Sequence, residues 1–387
     1  MCTPNRKLRL LIPLGLCGLC LLVVGASALS NLGLPQHSAT VDRLSYLEKA
    51  RLSEVLHLRT WLGEGVWPGW GGAHIPVMVY NEQYAFLVDY PDPPAGWYKV
   101  PMQEARGGPW EEVPGDLFEG RSYYRTAITH PDKTPEGFTV LVGDRWVATF
   151  QTREYGEVAF YESFRSDLPA AFADVVPVRL VWELLMGKTE SYVAALEHES
   201  FHAFEGTLAP ERLLAAESLY GVADGYPYAA MDEPWRREMD VLLKAALTTD
   251  ERAIRDLVLQ FLQLRTERRR SLTPDQAELE RLREWEEGLA KYAELAISRR
   301  AETEESYRAV DGIRKDPDFK DYGGQEQFWG QQLLEARRTQ GRSGDTRFYY
   351  SGNAMAVVLD RLMPDWKPQA LPGGRYLEDL LQEAVAR

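Results

Sequence analysis

His198 and His202 are spaced so that one helical face would carry both imidazoles, and Glu199 directly follows the first of them. Residues at i and i+4 lie about one turn apart on the same side of a helix. Both rings could therefore be aimed at one Zn²⁺, with the Glu199 carboxylate in reach of a water on that ion. The chemistry this pattern allows is hydrolysis: the ion acidifies water, a carboxylate takes the proton, and a polarised carbonyl is attacked. The helix has to exist for this to hold. Residues 189–205, TESYVAALEHESFHAFE, lack proline and glycine, and Val193, Leu196, Phe201 and Phe204 fall at roughly helical spacing. Thr189 is expected as the N-cap, Glu190 sits in the positive first turn, and Gly206 reads as the stop signal. The competing reading is a core helix whose histidines are merely hydrogen-bonded at its edge.

A hydrolytic zinc centre takes three protein ligands and leaves the fourth position to water. No histidine follows His202, which excludes the three-histidine pattern of the metzincins. A distant acid is required, and the best candidate stretch is REWEEGLAKYAELA, residues 283–296, where Glu287 precedes Gly288. On its own this stretch also reads as the solvated face of an acidic helix, because Glu284, Glu286 and Glu294 lie nearby.

The pair HESFH followed by EEGLAKYAE resembles the gluzincin metallopeptidases, whose second helix carries a glutamate ligand, often within E-G-x-A-x-Y. The resemblance implies His198, His202 and Glu287 as metal ligands and Glu199 as general base. It departs from thermolysin-like members at Lys291, where those place a supporting acid; Glu197, Glu205 and Glu294 are the candidates to orient the histidines instead. Further on, Tyr349-Tyr350-Ser351-Gly352 resembles the Y-x-x-G of aminopeptidase-like gluzincins, whose tyrosine assists at the oxyanion. Tyr349 matches that register, Tyr350 is the alternative, and a plain structural turn is the competing reading. The G-x-M-E-N-like segment by which aminopeptidases hold a substrate amine is not found, so peptide-bond hydrolysis is the expectation and endopeptidase the safer form. A non-catalytic, zinc-stabilised envelope binding protein is the other reading, marked by a closed, four-ligand site.

The elements that must position these residues follow from patterning. The chain has 387 residues, 45% of them hydrophobic and 11% aromatic, enough for a substantial core and two subdomains. Residues 29–176 read as a β-rich half: a helix over 41–63, then strands at 75–80, 84–90, 137–143 and 145–152, with Gly143-Asp144 as a tight hairpin. Residues 91–120 read as surface loop, and an edge strand within 156–163 is expected to hold an extended peptide. Residues 177–387 read as helical. Capping boxes at Thr248 to Glu251 and Thr273 to Gln276 start helices of about 250–270 and 274–300, an antiparallel pair that returns Glu287 to the HESFH helix. The fold class is thus α+β, a β-rich half packed on a helical half that the resemblance makes zincin-like.

Arg6, Lys7 and Arg9 precede an uncharged run from Leu10 to Leu29 that ends in Ala26-Ser27-Ala28. Residues 1–28 are expected to be an export signal peptide or, since the run can span a bilayer, a membrane anchor with the body outside the cytoplasm. All three cysteines, Cys2, Cys17 and Cys20, fall in this segment, so the body has neither disulfides nor thiol ligands. The net charge of −14 excludes nucleic acid as a natural partner and leaves a peptide or protein substrate. The run Arg265 to Arg270 (RTERRR) is expected as a solvated helix end, and His37, His57, His74 and His130 as structural or surface residues.

Overall fold

Alternating β-branched and aromatic residues build the centre of the sheet. Val77 and Val79 of strand β1 (Val77–Tyr80) point to one face while Met78 and Tyr80 point to the other, and all four are buried. The computed structural model describes residue 22 and residues 24–101, 104–130, 133–173, 175–338 and 344–387. Most of the N-terminal segment, residues 1–21 and 23, lies outside the described residues; residues 24–30 are helical. No described helix is long and apolar enough to cross a membrane.

The remaining strands are β2 (Tyr84–Val88), β3 (Trp97–Lys99), β4 (Glu104–Arg106), β5 (Glu111–Glu112), β6 (Tyr124–Ala127), β7 (Phe138–Val142) and β8 (Arg145–Gln151). They form one curled eight-stranded sheet in the order β4-β3-β7-β8-β1-β2-β6-β5. Every pairing is antiparallel except the central one, in which β1 runs parallel to β8 with Val77 opposite Ala148. The hairpin at Gly143-Asp144 is present, with Val142 opposite Arg145 and Gly143 at φ +63°.

Two expectations about this half are corrected. The stretch 91–120 is not only loop, because β3, β4 and β5 lie within it; at two or three residues each they are too short to show alternation. The segment 156–163 is no edge strand but lies within helix α2 (Arg153–Asp167). Thr152 caps that helix by accepting from Tyr155 N, and Val158 and Tyr161 bury one side at helical spacing. The change from strand to helix therefore falls at residue 152, earlier than the 177 expected.

The helices that frame the site are α1 (Tyr46–Val66), α3 (Val178–Leu185), α4 (Thr189–Leu208), α5 (Pro210–Ser218), α6 (Tyr228–Leu247), α7 (Glu251–Arg269), α8 (Pro274–Thr303), α9 (Gln325–Arg338), α10 (Thr346–Leu362) and α11 (Leu377–Ala386). The chain is 58% helical and 10% strand, and the largest of three buried apolar clusters runs from Leu44 to Ala384 through both strands and helices. Helix α4 lies on β7 and β8 on one side and against α8 and α1 on the other. The Thr273 capping box forms as expected, with Gln276 answering Thr273 in both directions. The Thr248 box does not: Asp250 caps α7 by accepting from Arg252 N, and Thr248 closes α6.

Helices α7 and α8 follow one another but do not pack as the expected pair: charged side chains bridge them, while α7 packs chiefly on α6 and α8 on α10 and α4. This corrects the expectation for the run at Arg265 and Arg268, while Thr266, Glu267 and Arg270 are exposed as expected. Arg265 and Arg268 are buried, and they pair with Glu238 of α6 and with Glu284 and Glu280 of α8. Acids on the two neighbouring helices, invisible in the local run, turn a solvated end into an internal cross-link.

Candidate metal centre

Helix α4 is drawn onto the sheet at Gly206, where a Cβ would stand 2.4 Å from the Trp146 ring. Gly206 thus acts as a contact point and not as the stop, and α4 continues to Leu208. Thr189 does not cap the helix either. It is the first helical residue, and its hydroxyl donates to Asp316 Oδ2 at 2.8 Å. Phe201 is wedged between Trp67 and Trp70 with ring centroids 5.2 Å apart in each pair, which fixes the rotation of α4 and so the direction of His198 and His202.

On the other side, α8 and α10 cross with their backbones in contact. A Cβ on Gly352 would lie 2.6 Å from Gly288 Cα and 2.4 Å from the Glu284 carbonyl. The Tyr-Tyr-Ser-Gly stretch is consequently helical and not a turn, and its glycine serves that crossing. The crossing sets Glu287, beside Gly288, and Tyr349, one turn before Gly352, against the histidines.

His198 Nε2 and His202 Nε2 are 3.1 Å apart, and each is 3.2 Å from Glu287 Oε2. An ion with tetrahedral bonds of ~2.0–2.1 Å spaces its ligand atoms about 3.3–3.4 Å apart, so this triangle fits one. Acids behind the rings orient them. His202 Nδ1 donates to Glu205 Oε2 at 2.9 Å, and His198 Nδ1 lies 3.2 Å from Glu294 Oε2. Both Nε2 atoms face the Glu287 oxygen. Glu205 and Glu294 fill the supporting role; Glu197 does not, facing the Arg59 side of α4 with neither carboxylate oxygen hydrogen-bonded. Lys291, the departure from the thermolysin-like pattern, pairs with Glu294 at 2.7 Å and steadies the acid that stands behind His198. Among the described residues, His198, His202 and Glu287 form the group that could hold a metal ion, and all three are buried.

The electrostatics favour a cation there. Burial works against a charged His198, but Glu287, Glu294 and Glu199 outweigh it and push its pKa up to about 10. Burial dominates at His202, pushing it down to about 4 against the pull of Glu287. Burial would raise Glu287, yet His202 and His198 hold it well below the usual carboxylate range. Glu199 is pushed up to about 8, first by burial and then by Glu287 and Glu294, with His198 opposing.

Glu199 is buried beside the cluster, with Oε2 lacking a hydrogen-bond partner and Oε1 lying under Gly137, whose added Cβ would stand 3.7 Å away. Tyr349 stacks on His198, with ring centroids 5.6 Å apart and planes within 5°. Burial and the neighbouring Glu287 and Asp345 keep its phenol protonated and so a donor. Tyr350 points elsewhere, its hydroxyl donating to Gln332 Oε1 at 3.4 Å. A cleft of about 530 Å³ opens onto Glu287 and Tyr349, walled by Gly137 and Phe138 of the β7 side, Lys99 of β3 and Arg283 of α8.

Sequence reasoning missed two contributors. Arg283 lies one turn before Glu287, 3.6 Å from Glu287 Oε1, and is held by Glu286 at 2.7 Å and Glu217 at 2.9 Å; its i−4 spacing from Glu287 was the available signal. Phe138, whose ring centroid is 4.8 Å from that of His202, arrives from the sheet and has no local signal. The other four histidines take no part in a metal group among the described residues. Comparison of the chain with protein-family models, curated proteins and solved structures finds no match.

Proposed function

We propose that this protein is a gluzincin-like, zinc-dependent peptide hydrolase. The observation that carries the reading is the convergence of two imidazole nitrogens and one carboxylate oxygen at 3.1–3.2 Å, with a buried, unpartnered carboxylate and a phenol beside them. Zn²⁺ suits a His₂Glu set with no thiol, and when bound it supplies Lewis acidity to a water and to the scissile carbonyl. Glu199 takes the proton from the attacking water and returns it to the leaving amine. Tyr349 donates its hydroxyl to the oxyanion, and Arg283 holds the second oxygen of Glu287 away from that site.

Substrate is an extended peptide. β3 pairs with β7 only at Val140 and Leu141, so residues 136–139 have no strand partner on that side among the described residues. They border the cleft, and a peptide laid along them would continue the sheet past Glu287 and Tyr349. This edge replaces the one expected at 156–163. The reaction takes place outside the cytoplasm, following the apolar N-terminal run.

The test measures bound metal and peptide turnover for wild type and Glu199→Gln, on peptides with free and with blocked N-termini. Zinc retained in both, with turnover lower by roughly 10²–10⁴ in the variant, is expected. Full activity in the variant, or no bound metal in the wild type, overturns the reading. Cleavage restricted to free N-termini would move it to an aminopeptidase.

A further inference from the structure

Helix α3 buries Val178 and Trp182 against Tyr161, with Leu34, Phe160 and Phe164 alongside. Leu180 and Leu184 lie on its other side, Leu185 and Met186 at its C-terminal end and Phe172 in the segment before it, each between 48% and 75% exposed within fifteen residues of chain. Clustered large apolar side chains of this kind mark an interaction surface in a water-soluble fold.

The end of the N-terminal segment is fastened at the same place. Asn31 Nδ2 donates to the Val176 carbonyl at 2.7 Å, and Asn31 Oδ1 accepts from Val178 N at 3.0 Å. Leu29 and Leu32, on either side of that clamp, are also exposed. Upstream lie the twenty uncharged residues from Leu10 to Leu29. Arg179, whose guanidinium donates to the Gly33 carbonyl at 3.4 Å, and the exposed Lys188 border the patch. Long basic side chains at the rim of an apolar helix face suit the phosphate layer of a membrane, and Glu183, the acid of α3, is exposed beside them.

We propose that the exposed apolar side chains Leu180, Leu184 and Leu185 of α3, Met186 at its end and Phe172 before it lie in the interfacial layer of an anionic lipid bilayer that also takes up the apolar N-terminal segment. The observation that selects a bilayer over other apolar partners is continuity: the Asn31 clamp fastens the described end of the apolar run, the helical residues 24–30 with Leu29 exposed, beside α3. The body is then held against the membrane surface at two places and does not swing freely on a tether.

The test uses the full chain with Cys2, Cys17 and Cys20 replaced by serine and one nitroxide-labelled cysteine at Leu184 or Leu185. A control label stands at Leu117, exposed in the loop between β5 and β6. The protein is reconstituted into vesicles of phosphatidylcholine and phosphatidylglycerol, and collision with oxygen is compared with collision with a water-soluble nickel chelate. Expected are labels at 184 and 185 that favour oxygen several-fold, while the label at 117 favours the chelate. Labels at 184 and 185 as open to the chelate as that at 117 overturn the proposal. So do dipolar broadening between aqueous labels, which would mean a second copy, and shielding from both quenchers, which would mean the N-terminal run folded back. As a second check, the L184D/L185D variant should move a label at Phe172 from oxygen preference to chelate preference without altering the thermal unfolding of the body. An unchanged preference at 172 also overturns it.

Discussion

Two imidazole nitrogens and a carboxylate oxygen meet within 3.2 Å of one another, with Glu205 bonded behind His202 and Glu294 standing behind His198. That preorganisation is what gives the neighbouring side chains definite roles. Tyr349→Phe should lower kcat by roughly 10²–10³ with KM little changed, as removal of one oxyanion donor does. Tyr350→Phe should stay within a few-fold of wild type; steady-state kinetics of both variants on one peptide separates the two tyrosines, and equal losses would remove Tyr349 from its role. At this scale the sequence was readable wherever the geometry was local. His198, Glu199 and His202 follow from helical spacing alone. Tyr349 was favoured over Tyr350 only by the resemblance to Y-x-x-G; spacing alone could not choose between adjacent residues that point about 100° apart in a stretch that also reads as a turn. Glu294 was one of three candidates behind the histidines, and only the crossing of α4 with α8 selects it together with Glu205.

Helix α8 carries Glu287, the third member of the cluster, so its placement decides whether the site exists, and buried ion pairs help to hold it. Glu280, two turns before Glu287, receives Arg268 and Arg269 of α7. Burial alone would raise its pKa, but the two guanidiniums bring it down from 4.5 to about 2. A carboxylate whose pKa is depressed by folding adds stability above its unfolded value and loses it as pH falls through the folded one. Glu280→Gln should therefore cost about 3 kcal/mol at pH 7, leaving buried cations short of a partner. The difference from wild type should shrink as pH drops from about 4.5 toward 2. Urea unfolding of both proteins across that range checks it; a constant difference would show that Glu280 contributes through packing alone. The existence and order of the long helices were legible from caps and periodicity, Thr273 to Gln276 most clearly. What was not legible came from pairing at a distance: β3 to β5 are too short to announce themselves, residues 156–163 carry as much strand as helix character, and the arginines of α7 look solvated until Glu238, Glu280 and Glu284 are brought to them.

For the molecule as a whole, an ion binding only the folded state adds stability by mass action, ~2.7 kcal/mol when free ion stands at a hundred times Kd. Stripping the purified protein with a chelator should lower Tm by several degrees, added Zn²⁺ should restore it, and His202→Ala should show neither change; differential scanning calorimetry is the check, and an unmoved wild-type transition would argue against a resident ion. The parallel pair β1 and β8 has a further consequence. Val77 meets Ala148 across some seventy residues of chain, and all six other strands are spelled out inside that excursion. Closing so long a loop is entropically slow, and β8 is the surface on which α4 rests. His198 and His202 can come to lie under Phe138 only after the excursion has closed, and Glu287 reaches them from 85 positions further on. During refolding the ion would accordingly be a witness to completion and not a nucleus: helices can form early without it, and its uptake would keep time with the last and slowest step of assembly.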